Sequence, residues 1–329
     1  MTSIQTQLDE FGLIERFFTH RRPRKDVILG VGDDSAILSV PDGRQLLITT
    51  DTLVSGTHFF ADTDPRLLAF KSVAVNLSDL AAMGGEPAWM TLAITLPEVD
   101  TQWLSLFADG LQSVCDYYGV ALVGGDTTRG PLSITITMHG TVPSGRALRR
   151  DGAKVGDWIY VTGNLGSSAA GLYALQRQLG HEWRAFIEHH LSPKPRLAAG
   201  IALRGLASSA LDLSDGLASD LGHILQASKV GAVIDLDKLP ICPELQTLVG
   251  QEQALQLALG GGEDYELLFT VPDCHKSAIT TALSEISGAA VCVGQIVSGN
   301  QIGYRRDGLI VPMQVAGFNH FHGPNNDNE

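Results

Sequence analysis

The stretch Leu46-Leu-Ile-Thr-Thr-Asp-Thr-Leu53 shows how this chain is built, because strand-forming residues run directly into side chains that carry oxygen. Residues 46–54 are rich in Ile, Leu and Thr, and residues 132–142 alternate between apolar and hydroxyl side chains, so both are predicted strands. Residues 65–83 and 101–118 carry apolar side chains at three- and four-residue spacing, which predicts two helices. This order favours an α+β or mixed α/β domain, with helices covering a sheet.

At 329 residues the chain exceeds the length at which one hydrophobic core usually stops growing. Two domains are the leading expectation, and one large domain is the alternative. Residues 142–157 turn to Pro, Ser, Gly and charge before a new strand begins at residue 158, so we predict domains over residues 1–147 and 148–329. The second domain is expected to be α/β, with helices at 167–178, 195–206 and 218–227 and strands at 158–161, 232–236, 265–271 and 290–296.

The net charge is −13, from 23 Lys plus Arg against 36 Asp plus Glu, which disfavours nucleic acid and anionic membranes as partners. A phosphate ligand would be repelled unless divalent cations lay between it and the carboxylates. The first residues lack a signal-peptide pattern, and no apolar run reaches the ~18 residues that span a bilayer. A soluble, cytoplasmic protein is the expectation.

Acidic residues occur in short segments that also contain Gly, Ser or Thr. Carboxylates packed into one site must stay solvated, take up protons or coordinate metal. The pattern therefore predicts a metal-dependent enzyme that uses a nucleotide. The segments are Gly32-Asp33-Asp34, Thr49-Thr50-Asp51, Ser78-Asp79, Gly124-Gly125-Asp126, Asp212-Leu213-Ser214-Asp215 and Gly262-Glu263-Asp264.

The acidic residues of the first half each have a plainer explanation as well. Asp51 and Asp126 could simply start turns after strands. One of Asp33 and Asp34 could cap a helix. Asp79 lies inside a predicted helix, where it either faces a site or tolerates a solvent-facing position. The residues alone leave these alternatives open.

In the second half, Asp212 and Asp215 flank Ser214 at the head of a predicted helix. A hydroxyl and unbonded N–H groups there could meet a phosphate while the carboxylates bind metal, but a helix N-cap is the alternative for Ser214 or Asp215. Arg150 lies near the acidic motifs and could bind phosphate oxygens or stay solvated. His58 stands beside two Phe residues, and the residues alone favour a packed histidine.

Several familiar motifs are absent from the sequence. No Gly-Lys dipeptide occurs, so there is no Walker A loop, and Gly30-Val-Gly32 is not completed to G-x-G-x-x-G. The chain has neither a G-x-S-x-G elbow nor an H-E-x-x-H motif. It also lacks a C-x-x-C pair. The carboxylate segments remain as the carriers of chemistry.

In order and spacing, the acidic segments resemble the signature series of the thiamine-monophosphate kinase family over nearly the whole chain. That family shares its fold and ATP site with aminoimidazole ribonucleotide synthetase, selenophosphate synthetase and HypE-type hydrogenase maturation proteins. The motifs are Gly32-Asp-Asp34, Thr49-Thr-Asp-Thr-Leu-Val-Ser-Gly-Thr-His-Phe59, Val75-Asn-Leu-Ser-Asp-Leu-Ala-Ala-Met-Gly84, Gly124-Gly-Asp-Thr127, Asp212-Leu-Ser-Asp-Gly216 and Gly261-Gly-Glu-Asp-Tyr-Glu266.

The resemblance implies an N-terminal α+β domain whose mixed sheet pairs with that of a second subunit, and a C-terminal α/β domain that completes the active-site cleft. It implies a homodimer. It also implies phosphorylation of thiamine monophosphate to thiamine diphosphate, with ATP as co-substrate and several Mg²⁺ ions, by direct in-line transfer. No residue is expected to act as acid or base, because a phosphate nucleophile is already ionised at neutral pH.

The same resemblance assigns roles to individual residues. It takes the second of the two neighbouring Asp residues, Asp34 rather than Asp33, as a ligand. The implied Mg²⁺ ligands are Asp34, Thr49, Thr50, Asp51, Asp79, Asp126, Asp212 and Asp215. The implied nucleotide contacts are Gly125, Asp126, Arg150 and Ser214. The implied contacts to thiamine monophosphate are His58, Glu263 and Phe318.

Two rival functions stay open at this point. One is another ATP-using reaction of the superfamily, on a purine precursor, selenide or a carbamoyl group. Selenide chemistry would want a reactive cysteine near the N-terminus and carbamoyl chemistry a C-terminal cysteine, whereas the first cysteine is Cys115 and the sequence ends in Glu329. The other rival is a non-catalytic module that binds metal or nucleotide.

Overall fold

The computed structural model describes residues 10–19, 24–284, 286, 290–313 and 315. Two compact units can be distinguished by their internal contacts. Unit 1 lies within Met1–Leu80 and Gly85–Gly145, and unit 2 within Ala81–Gly84 and Arg146–Glu329. Both units combine sheets with helices, as the predicted fold class requires.

Unit 1 is built on a four-stranded mixed sheet in the order β3-β6-β4-β5, beside a two-stranded sheet of β1 and β2. In the larger sheet β6 is antiparallel to both of its neighbours, and β4 is parallel to β5. The strands are β1 Val27–Leu29, β2 Ile37–Leu38, β3 Arg44–Val54, β4 Glu86–Leu96, β5 Ala121–Arg129 and β6 Ser133–Pro143. The helices are α1 Glu10–Phe18, α2 Pro65–Ala82 and α3 Thr101–Tyr118.

The alternation of β6 decides which face of the sheet is buried. Ile134, Ile136 and Met138 are almost fully buried, and the residues between them are half-buried. Strand residues that alternate in this way point to opposite faces, so the apolar set forms a core face. On the opposite face, which we call the open face, Thr50 of β3 is hydrogen-bonded to Thr137 of β6 through their hydroxyls at 3.0 Å.

Helix α3 begins and ends where its terminal residues specify. The carboxylate of Asp100 accepts the backbone N–H groups of Gln102 and Trp103, which satisfies donors that the first turn leaves unpaired. Gly119 follows the last turn with φ of 73°, and its N–H donates to the carbonyl of Cys115. The predicted range of residues 101–118 is confirmed.

Unit 2 is built on a seven-stranded sheet in the order β13-β12-β9-β11-β7-β10-β8, in which only the pairing of β12 with β9 is parallel. The strands are β7 Trp158–Thr162, β8 Ser209–Asp212, β9 Gly231–Asp235, β10 Leu267–Val271, β11 Ala290–Val297, β12 Ile302–Arg306 and β13 Leu309–Val311. The helices are α4 Ser167–Gln176, α5 Arg184–Leu191, α6 Leu197–Leu203, α7 Leu217–Ser228, α8 Pro243–Val249, α9 Gln251–Gly260 and α10 Lys276–Leu283.

The central strands of unit 2 are buried on both faces. All five residues of β10 are buried, and one apolar cluster joins Ile159 and Leu268 to Leu221 of α7, while a second joins Tyr160 and Phe269 to Leu203 of α6. Helices therefore cover both faces of this sheet. Within the described residues, no helix is long and apolar enough to cross a membrane.

Candidate active site

Strand β3 sorts its site residues onto two faces. Thr49 and Asp51 pair with Met138 and Ile136 of β6 and therefore lie on the core face. Thr50 pairs with Thr137 and lies on the open face. The two neighbouring threonines of the motif are thus exposed to different surroundings. A single ion on one face of the sheet cannot take side-chain oxygens from both.

Asp79 of α2 belongs with the core-face set. The hydroxyl of Thr49 donates to the Asp79 carboxylate, and the Asp79 side chain is half-buried. The alternative that Asp79 is a solvent-facing helix residue is therefore wrong. Because Asp51 lies two residues beyond Thr49 on the same face, the three side chains form a group of oxygen donors beside α2.

Asp126 lies on the other side of the sheet. It pairs with Ala93 of β4, which pairs with Thr135 of β6, and Thr135 is bonded to Thr52 of β3 on the open face at 2.9 Å. Three strand spacings, about 14 Å in all, separate β5 from β3. Asp126 and Asp51 are therefore not brought together within unit 1, since they differ in both strand and face.

Gly125 allows β5 to approach β4 closely. Its φ of 154° is disfavoured for residues with a side chain, and a Cβ there would lie 1.8 Å from the carbonyl oxygen of Leu92. No rearrangement of a flexible side chain could relieve that clash, because the obstructing atom belongs to the backbone. The glycine before Asp126 is thus required by packing whatever it binds.

Asp33 and Asp34 lie in the connection between β1 and β2, and both are exposed. The carboxylate of Asp33 accepts the backbone N–H of Asp34 at 2.8 Å. A strand follows rather than a helix, so the helix-cap alternative for this pair is wrong. The carboxylate of Asp33 therefore orders the turn, whereas Asp34 contributes its backbone N–H to that hydrogen bond.

His58 is half-buried in the turn that follows β3. Its Nδ1 accepts the backbone N–H of Val54 at 3.1 Å, and the backbone N–H of His58 donates to the Val54 carbonyl at 2.9 Å. In the neutral ring the proton must therefore sit on Nε2, so Nε2 is the donor atom of the ring.

In unit 2 the motif from residue 212 to residue 215 connects β8 to α7. Asp212 is the last residue of β8 and is buried, while Ser214 and Asp215 are half-buried in the connection. The helix cap is Gly216, without any side-chain hydrogen bond, so the N-cap alternative for Ser214 or Asp215 is wrong.

The structure adds two residues that the sequence analysis missed. Ligand atoms of Asp220 and His223, both on α7, lie within 4.8 Å of each other and of an oxygen of Asp215. Burial raises the pKa of Asp220 to about 7, and the negative charges of Asp215 and Asp212 raise it further. The hydrogen bond from the backbone N–H of Asp215 lowers it. The sequence signal for Asp220 is its spacing, because a residue three positions after the buried Leu217 lies on the same, buried face of the helix.

A second segment, residues 261–266, runs beside this connection. The N–H of Glu263 donates to the carbonyl of Ser214 at 2.8 Å, and the N–H of Tyr265 donates to Leu213 at 2.9 Å. Glu263 has φ of 65° and Tyr265 has φ of 51°, both in the left-handed region that costs residues with a side chain roughly 1–2 kcal/mol each. The two motifs of unit 2 are therefore held together, and Glu263 lies next to Ser214.

The three acids of that segment have different partners. The buried Asp264 accepts the N–H groups of Gly166 at 2.6 Å and Ser168 at 3.0 Å. Burial raises the pKa of Asp264 to about 7, although these N–H groups lower it. Glu266 is buried against the Arg196 guanidinium, which donates two hydrogen bonds to it. Only Glu263 keeps a quarter of its side chain, 25%, exposed.

One predicted residue, Arg150, stands apart from these groups. Arg150 is exposed in a turn whose carbonyl accepts the hydroxyl of Ser228 at the C-terminal end of α7, whereas Ser214 precedes the N-terminal end of that helix. The 12 residues of α7 span about 18 Å, so the backbones of Arg150 and Ser214 are not brought together. Phe318 lies outside the described residues.

Family models recognise both units. The model described as AIR synthase related protein, N-terminal domain, matches residues 32–142, and the corresponding C-terminal domain model matches residues 154–306. The thiamine-monophosphate kinase of Escherichia coli K12 is 54% identical over 321 residues, which cover 96% of this chain and 99% of that protein. The chain belongs to the thiamine-monophosphate kinase family.

Solved structures agree with that membership. The crystal structure of thiamine-monophosphate kinase from Stenotrophomonas maltophilia K279a is 43% identical, with a TM-score of 0.81 over 87% of this chain and 92% of that one. The structure of AaThiL complexed with AMPPCP and TMP is 32% identical, with a TM-score of 0.75 over 95% and 97% of the two chains. The chain is thus an enzyme of the thiamine-monophosphate kinase family with the fold of the AIR synthase related proteins.

Proposed function

We propose that the chain transfers the γ-phosphoryl group of ATP to thiamine monophosphate, giving ADP and thiamine diphosphate for thiamine diphosphate biosynthesis. The observation that carries the proposal is the match to a thiamine-monophosphate kinase over 96% of the chain. The AaThiL complex with AMPPCP, an ATP analogue, and TMP supports the same pair of substrates. The use of ATP is also the reason to propose a cytoplasmic location.

The side chains of the motifs fit magnesium, because they supply carboxylate and hydroxyl oxygens, the donors that this hard cation prefers. Thr49, Asp51 and Asp79 form one such group on the core face of unit 1. Thr50 and Asp126 lie on the open face. We propose that these residues hold several ions together with Asp34, Asp212 and Asp215.

Bound Mg²⁺ would supply positive charge that offsets the repulsion between two phosphates. The side chains themselves fix where the oxygens of the two substrates can lie, which is the main requirement of a phosphoryl transfer with a loose transition state. We propose direct in-line attack by a phosphate oxygen of thiamine monophosphate on the γ-phosphorus. That oxygen is already ionised at neutral pH, so no side chain has to remove a proton.

Nucleotide and substrate contacts follow the family motifs. We propose that Gly125, Asp126, Ser214 and Arg150 contact ATP. We also propose that Nε2 of His58 and the carboxylate of Glu263 contact thiamine monophosphate, together with Phe318. The Nε2–H that the turn around His58 enforces is a suitable donor for this role.

A homodimer is the further part of the proposal. The open face of unit 1 carries exposed Leu46 and Ile48 on its edge strand β3, beside a row of threonines. Apolar residues that neighbour one another on an exposed sheet face are typical of a surface that pairs with another protein. A second copy offers the matching surface through two-fold symmetry.

The test is incubation of the purified protein with Mg²⁺, ATP and thiamine monophosphate, followed by chromatography of the thiamine phosphates. Thiamine diphosphate should appear in proportion to ADP, and chelation of the metal should stop the reaction until Mg²⁺ is restored. Parallel reactions with a purine-precursor amidine, selenide or carbamoyl phosphate are the controls. Turnover of a control compound alone would overturn the proposal, and absence of any ATP consumption would favour a binding module.

A further inference from the structure

His190 lies directly behind the one acid of the 261–266 segment that reaches solvent. Its Nδ1 is 3.3 Å from Oε2 of Glu263, and its side chain is 4% exposed against 25% for Glu263. The imidazole therefore contacts the carboxylate from the protein interior. A ligand in solvent would approach Glu263 from the opposite side.

A hydrogen bond to α4 fixes the position of that ring. Nδ1 of His190 is 2.9 Å from the hydroxyl of Ser168, which is fully buried in the first turn of α4. A proton on Nδ1 can be shared between the Ser168 oxygen and the Glu263 carboxylate, since both accept. The negative charge of a carboxylate at this distance favours that tautomer.

The helices that carry these residues are packed too closely to slide. A Cβ on Gly171 of α4 would lie 2.2 Å from the carbonyl oxygen of Phe186 and 2.8 Å from Cβ of His190, both on α5. The N–H of Ser168 is in turn bonded to Asp264, the neighbour of Glu263. The ring of His190 is therefore held by the same helix start that anchors the segment it contacts.

The neighbouring acids of Glu263 have a purely structural role, and the comparison shows how Glu263 differs. Asp264 and Glu266 are 3% and 1% exposed and are bonded to backbone N–H groups and to Arg196. Glu263 differs because its backbone is held, through the bond of its N–H to Ser214, while its carboxylate stays partly exposed. A glutamate side chain has three rotatable torsions, and one buried donor that fixes its end removes most of that freedom.

We infer that His190 is a positioning residue for thiamine monophosphate, holding the Glu263 carboxylate in the orientation that receives the positively charged, amino-bearing ring system of the substrate. This inference rests on the proposed function, in which Glu263 contacts that substrate. His190 itself touches no reacting atom. Its contribution is to substrate affinity, so it acts on the KM for thiamine monophosphate and leaves the KM for ATP as it is.

The test compares two substitutions that differ in the donor they keep. Asn places its amide nitrogen close to the position of Nδ1, so His190→Asn retains a donor to Glu263, whereas His190→Leu removes it. We expect His190→Leu to raise the KM for thiamine monophosphate about tenfold, the effect of losing one close polar contact to a charged carboxylate. We expect His190→Asn to stay within about threefold of the parent.

Glu263→Gln and the double variant locate the effect. Glu263→Gln should raise the same KM, and adding His190→Leu to it should change little more, because the two residues act as one unit. His189→Leu is the matched control, since His189 is the preceding residue of α5 and its Nε2 lies 3.9 Å from Asp264 rather than near Glu263. Unfolding temperatures of all variants identify any general loss of structure.

The outcomes separate the two claims. A protein that does not phosphorylate thiamine monophosphate, or a Glu263→Gln variant with an unchanged KM, contradicts the proposed function of Glu263. A raised KM in Glu263→Gln together with an unchanged KM in His190→Leu overturns the inference about His190 alone. Equal losses for both substrates in His190→Leu, without rescue in His190→Asn, would show a purely structural histidine and would also overturn it.

Discussion

Asp126 on the sheet of unit 1 and the acids of the 264–266 segment in unit 2 carry the same carboxylate group in opposite surroundings. Asp126 is exposed on the open face of its sheet. Asp264 and Glu266 are buried, and backbone N–H groups or Arg196 occupy their oxygens. A carboxylate whose lone pairs are already taken by fixed donors has lost its capacity for a cation. The role of an acidic residue therefore depends on the hydrogen-bond donors around it as well as on the sequence motif that contains it.

The largest effect is expected from removing the charge of an acid in unit 1. Asp126→Asn and Asp51→Asn should each lower kcat more than about 100-fold, because each would weaken a metal site that offsets phosphate charge. The unfolding temperature should hardly change for the exposed Asp126. Steady-state kinetics and a thermal melt check both expectations. Asp42→Asn, at an exposed position just before β3, is the control and should keep its activity.

Near-normal turnover in both Asp126→Asn and Asp51→Asn would contradict the functional role of the acids in unit 1. It would mean that the acids of the sheet are no more involved in the reaction than the buried acids of unit 2. Loss of turnover accompanied by unfolding would likewise remove the distinction between the two regions.

The next largest effect concerns stability and belongs to unit 2. Arg196→Met should lower the free energy of unfolding by roughly 3–5 kcal/mol, because it leaves the charge of Glu266 buried without its cation. Glu266→Gln added to it should recover part of the loss. Arg184→Met provides the matched control, since its pair with Glu188 is exposed at 74% and 63% and should contribute less than about 0.5 kcal/mol. Urea unfolding measures all three, and equal losses at Arg196 and Arg184 would contradict the comparison.

A smaller effect is expected in the pH dependence of stability. The pKa of Asp264 is raised from 3.8 to about 7, so the folded protein keeps a proton that the unfolded chain has lost over that range. The stabilisation by that proton is complete below pH 3.8 and is lost as the pH rises to about 7. Asp264→Asn lacks this titration. The free energy of unfolding of the parent, relative to that of the variant, should therefore fall from pH 4 to pH 7 and stay constant above pH 8. A difference that does not depend on pH would contradict the burial argument.

The smallest effect sharpens the comparison within unit 1. Asp100 is an exposed acid, but its carboxylate caps α3 by accepting the N–H groups of Gln102 and Trp103. Asp100→Ala should lower the free energy of unfolding by about 1 kcal/mol and leave kcat unchanged. Unfolding and activity measured on one preparation decide it. A loss of activity without a loss of stability would show that exposure alone, and not the absence of a structural task, marks the functional acids.

The fold could be predicted from sequence where the pattern is local. The strands β3 and β6 and the helices α2 and α3 of unit 1 begin and end within two residues of the predicted ranges, because their periodicity is long and their caps are explicit. Strand β4 received no predicted range because three consecutive residues in its first half, Ala88, Trp89 and Met90, are all buried, which hides the alternation that begins after them. The short elements β8, α5, α8, α9 and α10 also received none, since an element of at most ten residues carries little periodic signal.

The candidate site could be predicted only in part. The motifs gave the acids, but the partners of Glu266 and Asp264 lie 70 to 104 residues away along the chain, and no local pattern predicts them. The same holds for His190 beside Glu263. The separation of Asp51 from Asp126 onto different faces depends on the register of three strand pairings, which the sequence pattern does not fix.

The alternation of β3 has a consequence for the way this protein can change over evolutionary time. Eleven consecutive residues of β3 pair with β6 in one unbroken register. Insertion or deletion of a single residue before Thr49 would move every later side chain of the strand to the opposite face, so that Asp51 would exchange places with the open-face threonines. Point substitutions can change β3 one side chain at a time, but a change of length alters every later position of the strand at once. The connection before the strand, at the exposed Asp42 and Gly43, is where length variation could be tolerated.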